Sequence, residues 1–238
     1  AEAFDYNIML KTELINEYKK AKIQYNNQDF SSPKELVEFY NDGIEILNWF
    51  KKKRATYFPT RNYELIGIEI PLYITLKEFG INRVVFLGYI DLVIKDKRDG
   101  EYILYDIKTS TSGWNEYKKK DSLTTAQLVL YKKFFAEQYQ IDIDKIKVQY
   151  FIVRRKINTS LEFPQKRIQE FSPSAGSITL KKVNDSIVKF VDTAFLDGDY
   201  NTNVYYPPLA GKQYNTCKFC IFNERQDLCP KDNRIIDQ

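Results

Sequence analysis

The chain has 238 residues, of which 43% are hydrophobic, 15% aromatic and 29% charged, with a formal net charge of +4. That is enough apolar material for one sizeable domain with appendages, and too well mixed in charge for a disordered chain. The sequence holds no His, which excludes His triads, His general bases and His-ligated zinc within these residues, and its three Cys are too few for a disulfide framework.

Residues 1–26 carry apolar positions at helical spacing (Phe4, Ile8, Leu14, Ile15, Tyr18) and read as a helix already under way, with no capping residue ahead of it. The expectation drawn from this is an N-terminal piece missing before Ala1. A second helix follows over 31–54, with Ser32 as cap, Pro33 at its first position and Glu35 in its first turn. The period then changes from helical to alternating. Residues 64–76, 82–95 and 101–110 read as three strands, 122–139 as a helix capped by Ser122, and 147–156 as a further strand. Residues 157–177 read as loop, 178–196 as a short strand running into a helix, and 197–238 as a turn-rich tail with the cysteines. The expected architecture is α/β: an αβββαβ core with a mixed sheet flanked by helices. The expected division is a helical part at 1–60, a core at 61–156 and a C-terminal part at 157–238. No apolar run is long enough to span a bilayer and no signal-peptide pattern is seen, which points to the cytoplasm. Three basic runs (51–54, 118–120, 154–156) are solvated surface unless several surround one site, where they would suit a polyanion.

The hairpin GYIDLVIKDKRDGEYILYDIKTS (88–110) raises a question, because Asp91, Asp106 and Lys108 interrupt its apolar runs. Asp106 and Lys108 are two apart and share a face. A loop at Asp99-Gly100 sets Asp91 opposite Lys108; a loop at Arg98-Asp99 sets it opposite Asp106. Both registers gather all three on one face, with opposed Cβ atoms ~5 Å apart. Ile90, Leu92, Ile94, Ile103, Tyr105 and Ile107 then form the core face. Carboxylates this close must share a proton, take up cations or hold a metal, and oxygen donors suit Mg²⁺ or Mn²⁺. The competing reading is a structural salt-bridge cluster around Lys108, against which stands the cost of burying ions. Gln127 and Tyr131 share a face of the following helix, and Glu69 lies in the preceding strand within reach of the same pocket.

Gly88-Tyr-Ile-Asp91, Asp106-Ile-Lys108 and Gln127-Leu-Val-Leu-Tyr131 resemble, in order and spacing, the three motifs of the RecB/Cas4/AddB-type branch of the PD-(D/E)XK nuclease superfamily. The resemblance implies a deoxyribonuclease using Mg²⁺ or Mn²⁺, an exonuclease of recombination, repair or phage DNA processing, with DNA as partner and a helicase or recombination protein beside it. It implies that Asp91, Asp106 and the main-chain carbonyl of Ile107 hold the metal. Lys108 becomes the catalytic lysine, and Gln127 and Tyr131 the pair that organises the site and touches the DNA backbone. That branch takes a further ligand from a His, which this sequence lacks; Glu69, or Glu2, is the substitute expected here. The alternative is an impaired, nuclease-derived DNA-binding or assembly module.

Cys217, Cys220 and Cys229 are compactly spaced in the tail, which suits metal binding. The resemblance implies a [4Fe–4S] cluster needing a fourth Cys; zinc with a non-Cys ligand, or three free thiols, are the other readings.

Overall fold

The computed structural model describes residues 5–158, 160, 162, 163, 165–204, 208–210, 216–218 and 220–235. The chain divides into two compact units, Ala1–Thr75 with Val85–Ile187, and Leu76–Val84 with Val188–Gln238.

Helix α1 (Tyr6–Gln24) starts within the sequence, because Asp5 caps it through Oδ1 to the amides of Asn7 and Ile8. The expected uncapped helix is thereby corrected: a cap of the Asp type was present one residue after the apolar pattern began. Helix α2 (Pro33–Tyr57) opens as the sequence predicts. Ser32 Oγ accepts from the Glu35 amide and the Glu35 carboxylate accepts from the Ser32 amide, a closed capping box with Pro33 at the first position.

Five strands follow in one mixed sheet, ordered β1 (Tyr63–Phe79), β2 (Asn82–Asp96), β3 (Tyr102–Ser110), β4 (Ile146–Arg154) and β5 (Ile168–Phe171). Strand β3 runs antiparallel to β2 and parallel to β4, and β5 closes the far edge antiparallel to β4. A parallel neighbour requires a crossover. Here it is made by the short helix α3 (Glu116–Lys120) and by α4 (Ser122–Tyr139). The cap of α4 is Asp121 rather than Ser122: its carboxylate accepts from the amides of Leu123 and Thr124. Strand β5 lies inside the stretch expected to be loop. Helix α5 (Ser177–Ala194) begins without the strand expected before it, and a two-residue hairpin, β6 (Phe195–Leu196) and β7 (Asp199–Tyr200), follows.

Both faces of the sheet are covered, which explains why its central strands are apolar almost throughout. On one face Ile94, Tyr105, Phe151, Val153 and Ile168 are buried against Ile46, Trp49, Tyr57 and Phe58 of α2 and its end. Phe58 packs edge-on to Tyr105 with ring centroids 5.6 Å apart. On the other face α4 presents Leu128, Tyr131, Phe134 and Phe135, with Phe134 on Phe86 at 4.6 Å and Phe135 on Tyr102 at 6.1 Å. Each such residue contributes about 1.5–3 kcal/mol on leaving water. Among the described residues no helix is long and apolar enough to cross a membrane.

Candidate active site

The hairpin pairs Leu92 with Tyr105 and Lys95 with Tyr102. Continued one step, this register sets Asp91 opposite Asp106. It is the register expected for an Arg98-Asp99 loop, although the loop itself is four residues: the Asp96 amide donates to the Glu101 carbonyl at 2.8 Å and Gly100 turns at φ +75. The alternative with Asp91 opposite Lys108 does not occur.

The two strands part at Asp91. Since Asp96 and Glu101 form a hydrogen-bonded pair, the alternation of the ladder would next give Ile107's amide to the carbonyl of Ile90. Instead the Ile107 N–H donates to Asp91 Oδ2 at 2.6 Å. The side-chain phase of β2 changes here too. Phe86 and Gly88 face α4, while Leu92 and Ile94 face α2. One step of alternation is therefore skipped between Gly88 and Asp91, as at a β-bulge, and this turns Asp91 toward the α4 side. Ile107, expected in the core, is 42% exposed at this fork.

Asp106 is 2% exposed. Burial raises its carboxyl above the usual aspartate range, the hydrogen bond and charge of Lys108 pull it back, and the charge of Asp91 raises it further. Lys108 Nζ lies 2.8 Å from Oδ2 and 3.1 Å from Oδ1 of Asp106. Only the Oδ1 contact has hydrogen-bond geometry, which leaves Oδ2 buried without a hydrogen-bond partner. The Lys108 ammonium, in ion contact with that oxygen, offsets part of the cost of burying it.

Helix α4 packs on the face of the sheet to which Gly88 points. Gln127 Nε2 donates to the Tyr131 hydroxyl at 3.1 Å, so the pair foreseen from helical spacing is formed. Gly88 permits this approach: a Cβ there would lie 3.0 Å from Tyr131 Cε1 and 3.2 Å from Phe86 Cε1. Tyr150, read from sequence as an ordinary strand residue, is the ladder partner of Asp106 and is fully buried. Its hydroxyl donates to the Thr124 carbonyl in the first turn of α4, tying the helix to the strand that flanks Asp106. Only the β3–β4 register reveals that role, and a parallel register across a crossover leaves no mark in local sequence.

Glu69 is exposed in β1 at φ +52, a left-handed backbone inside a strand. Among the described residues no group of three or more Asp, Glu or Cys side chains is placed to hold a metal ion; Asp91 and Asp106 stand as a pair. The buried Asp106 carboxylate, whose Oδ2 receives no hydrogen bond, offers with the carboxylate opposite it the oxygen donors that suit a hard divalent cation. Glu2 lies outside the described residues. In the tail Cys217 and Cys229 are partly buried and Cys220 is exposed, all as free thiols. Arg234, 7% exposed, sits among them, donating to the Asn223 side chain at 2.8 Å and to the Cys229 carbonyl at 2.9 Å. The described thiols do not assemble into a metal centre, so the chain's own residues here do not fit a four-thiolate cluster.

No curated protein matches the chain. Among solved structures, the crystal structure of SSO0001 is similar at 14% identity and a TM-score of 0.38, covering 92% of this chain and 80% of that one. The sequence profile of the PD-(D/E)XK nuclease superfamily matches residues 13–229, nearly the whole length. The chain belongs to the PD-(D/E)XK nuclease superfamily.

Proposed function

We propose that this protein is a Mg²⁺- or Mn²⁺-dependent deoxyribonuclease, acting as an exonuclease in recombination, repair or phage DNA processing, alone or beside a helicase or recombination protein. The observation that carries this reading is Asp106: a buried carboxylate opposite Asp91, its Oδ2 without a hydrogen-bond donor and in ion contact with the Lys108 ammonium at 2.8 Å. Asp91, Asp106 and the carbonyl of Ile107 would hold the cation. Such an ion, when bound, makes a water nucleophilic near neutral pH and clamps the scissile phosphate.

The remaining chemistry belongs to the chain. Asp91 fixes Ile107 through its amide, which keeps the peptide at the fork in one orientation. Lys108, 37% exposed at its side chain, sets its ammonium against the buried carboxylate of Asp106. There it orients the attacking water and offsets the charge that grows on the phosphoryl oxygens, as a positioned cation does in other sites of this kind. Gln127 holds the Tyr131 hydroxyl, and the pair offers donors to a backbone phosphate. Glu69 is the proposed substitute for the His that RecB-like sites use.

The test is hydrolysis of labelled DNA with Mg²⁺ or Mn²⁺ by the wild type, Asp106→Ala and Lys108→Ala. The reading expects metal-dependent cleavage lost in both variants. The second reading, a DNA-binding module without catalysis, draws support from the lack of a third carboxylate beside Asp91 and Asp106 among the described residues. It expects DNA binding with no cleavage under any metal.

A further inference from the structure

Beyond the catalytic strand the chain passes at once into a rigid, aromatic and basic surface segment. Four contacts pin its entry. The Trp114 amide donates to Gln169 Oε1 at 2.7 Å and the Trp114 carbonyl accepts from Gln169 Nε2 at 2.9 Å, so one side chain of β5 grips both backbone polar groups of that residue. Arg154 Nε donates to the Ser112 carbonyl at 2.9 Å, and the Lys156 amide to the Thr111 carbonyl at 3.0 Å. Gly113, at φ +96, is required: a Cβ would lie 2.6 Å from Arg154 Nε. The Trp114 ring packs on Tyr150 at 4.8 Å, the residue beside Asp106.

What this anchored segment carries is α3. Tyr117 is 87% exposed and Leu123, just after the α3–α4 junction, is 84% exposed. Lys118, Lys119 and Lys120 lie between them in sequence, with Lys118 and Lys120 exposed. Lys119 pairs with Glu116 at 2.6 Å and Lys118 faces Asp121 at 3.6 Å. Of these the Lys118 pair, local and long, is weak and exchanges readily for a phosphate. The Tyr117 ring thus stands open to solvent on a backbone that these contacts hold in place. With the lysines that follow it, it matches a nucleotide strand, whose bases offer a face and whose backbone offers negative charge.

We propose that α3 is a strand-guiding platform: Tyr117 stacks on an unpaired base while Lys118 and Lys120 hold the flanking phosphates, leading the strand to the carboxylates of β3. This rests on the nuclease reading of that site. A duplex offers no free base face inside its stack, so the platform selects a single strand or a frayed end.

The experiment is fluorescence anisotropy of a labelled oligothymidylate and of a blunt duplex, without divalent metal so that nothing is cleaved. Full-length wild type, Tyr117→Ala, Tyr117→Phe and the double variant Lys118→Gln/Lys120→Gln are compared. Tyr117→Ala should weaken single-strand binding roughly 5- to 100-fold, Tyr117→Phe should bind within about twofold of the wild type, and duplex binding should hold. The double lysine variant should flatten the dependence of log K on log salt by about 1.4, or ~0.7 per phosphate lost. Unchanged single-strand binding by Tyr117→Ala, or an equal loss on duplex, overturns the platform. Wild-type cleavage with Mg²⁺ is scored separately. Tyr117-dependent binding without any cleavage would sink the nuclease reading and leave the platform standing.

Discussion

The Ile107 amide donates to the Asp91 carboxylate at 2.6 Å where a strand carbonyl would ordinarily accept. One side chain thereby serves two ends: it closes the fork in the sheet, and it turns a carboxylate toward Asp106. Asp91→Asn keeps an amide oxygen as acceptor and should fold as the wild type does while losing metal-dependent cleavage. Asp91→Ala loses the acceptor as well, at about 1 kcal/mol, or a fall in Tm of about 2–4 °C. Thermal unfolding beside a cleavage assay separates the two roles, and equal stability of both variants would contradict the structural one.

Asp106 should be a liability to the metal-free fold. Its carboxyl is raised mainly by burial, so the folded chain binds that proton more tightly than the unfolded one. The contribution is then favourable at low pH and is lost as pH rises from about 4 through the raised value. Asp106→Asn cannot ionise. Without metal, its stability relative to the wild type should rise across that window and level off above it, as read by urea unfolding at several pH values. Cleavage should fall by on the order of a thousandfold at every pH, since the ligand is gone.

Gly88 is set by Tyr131. With 3.0 Å between a would-be Cβ and the ring, Gly88→Ala must displace Tyr131, and with it the hydroxyl that Gln127 holds. A loss of about 1–3 kcal/mol is expected from the overpacking. Cleavage should drop about 10- to 100-fold, the scale of an ångström's misplacement in a positioning group. Wild-type cleavage in a Gly88→Ala protein that still unfolds cooperatively would show that Tyr131 does not position anything.

Glu69, if it supplies the extra ligand, should matter to metal and little to folding, being exposed. Glu69→Gln should weaken Mn²⁺ affinity by on the order of tenfold with Tm unchanged. Calorimetric titration decides this, and equal affinity would remove Glu69 from the site.

The site was legible in sequence where its geometry is local. Period-2 alternation put Asp106 and Lys108 on one face, and a four-residue helical step joined Gln127 to Tyr131; both follow from backbone repeat alone. The register of the hairpin was narrowed to two choices and no further, because a four-residue loop can close the register that a two-residue loop also gives. The skipped step between Gly88 and Asp91 was invisible, since a bulge shifts phase without changing composition. Strand β5 was missed because IQEF is short and sits among turn-forming residues, yet its Gln169 fixes the segment after β3. Helix starts show the same limit: Asp5 lies inside the apolar pattern and Asp121 stands beside Ser122, so the side-chain hydrogen bonds decide both caps.

The central claim is that Asp91 and Asp106 together hold a divalent cation beside Lys108. It is tested most directly by Mn²⁺ binding, followed by electron paramagnetic resonance on the wild type, Asp91→Asn and Asp106→Asn, with Mg²⁺ as competitor. The account predicts a Mn²⁺ site in the wild type that Mg²⁺ displaces and that either substitution abolishes. Mn²⁺ binding that survives in both variants, or its absence from the wild type, would contradict it.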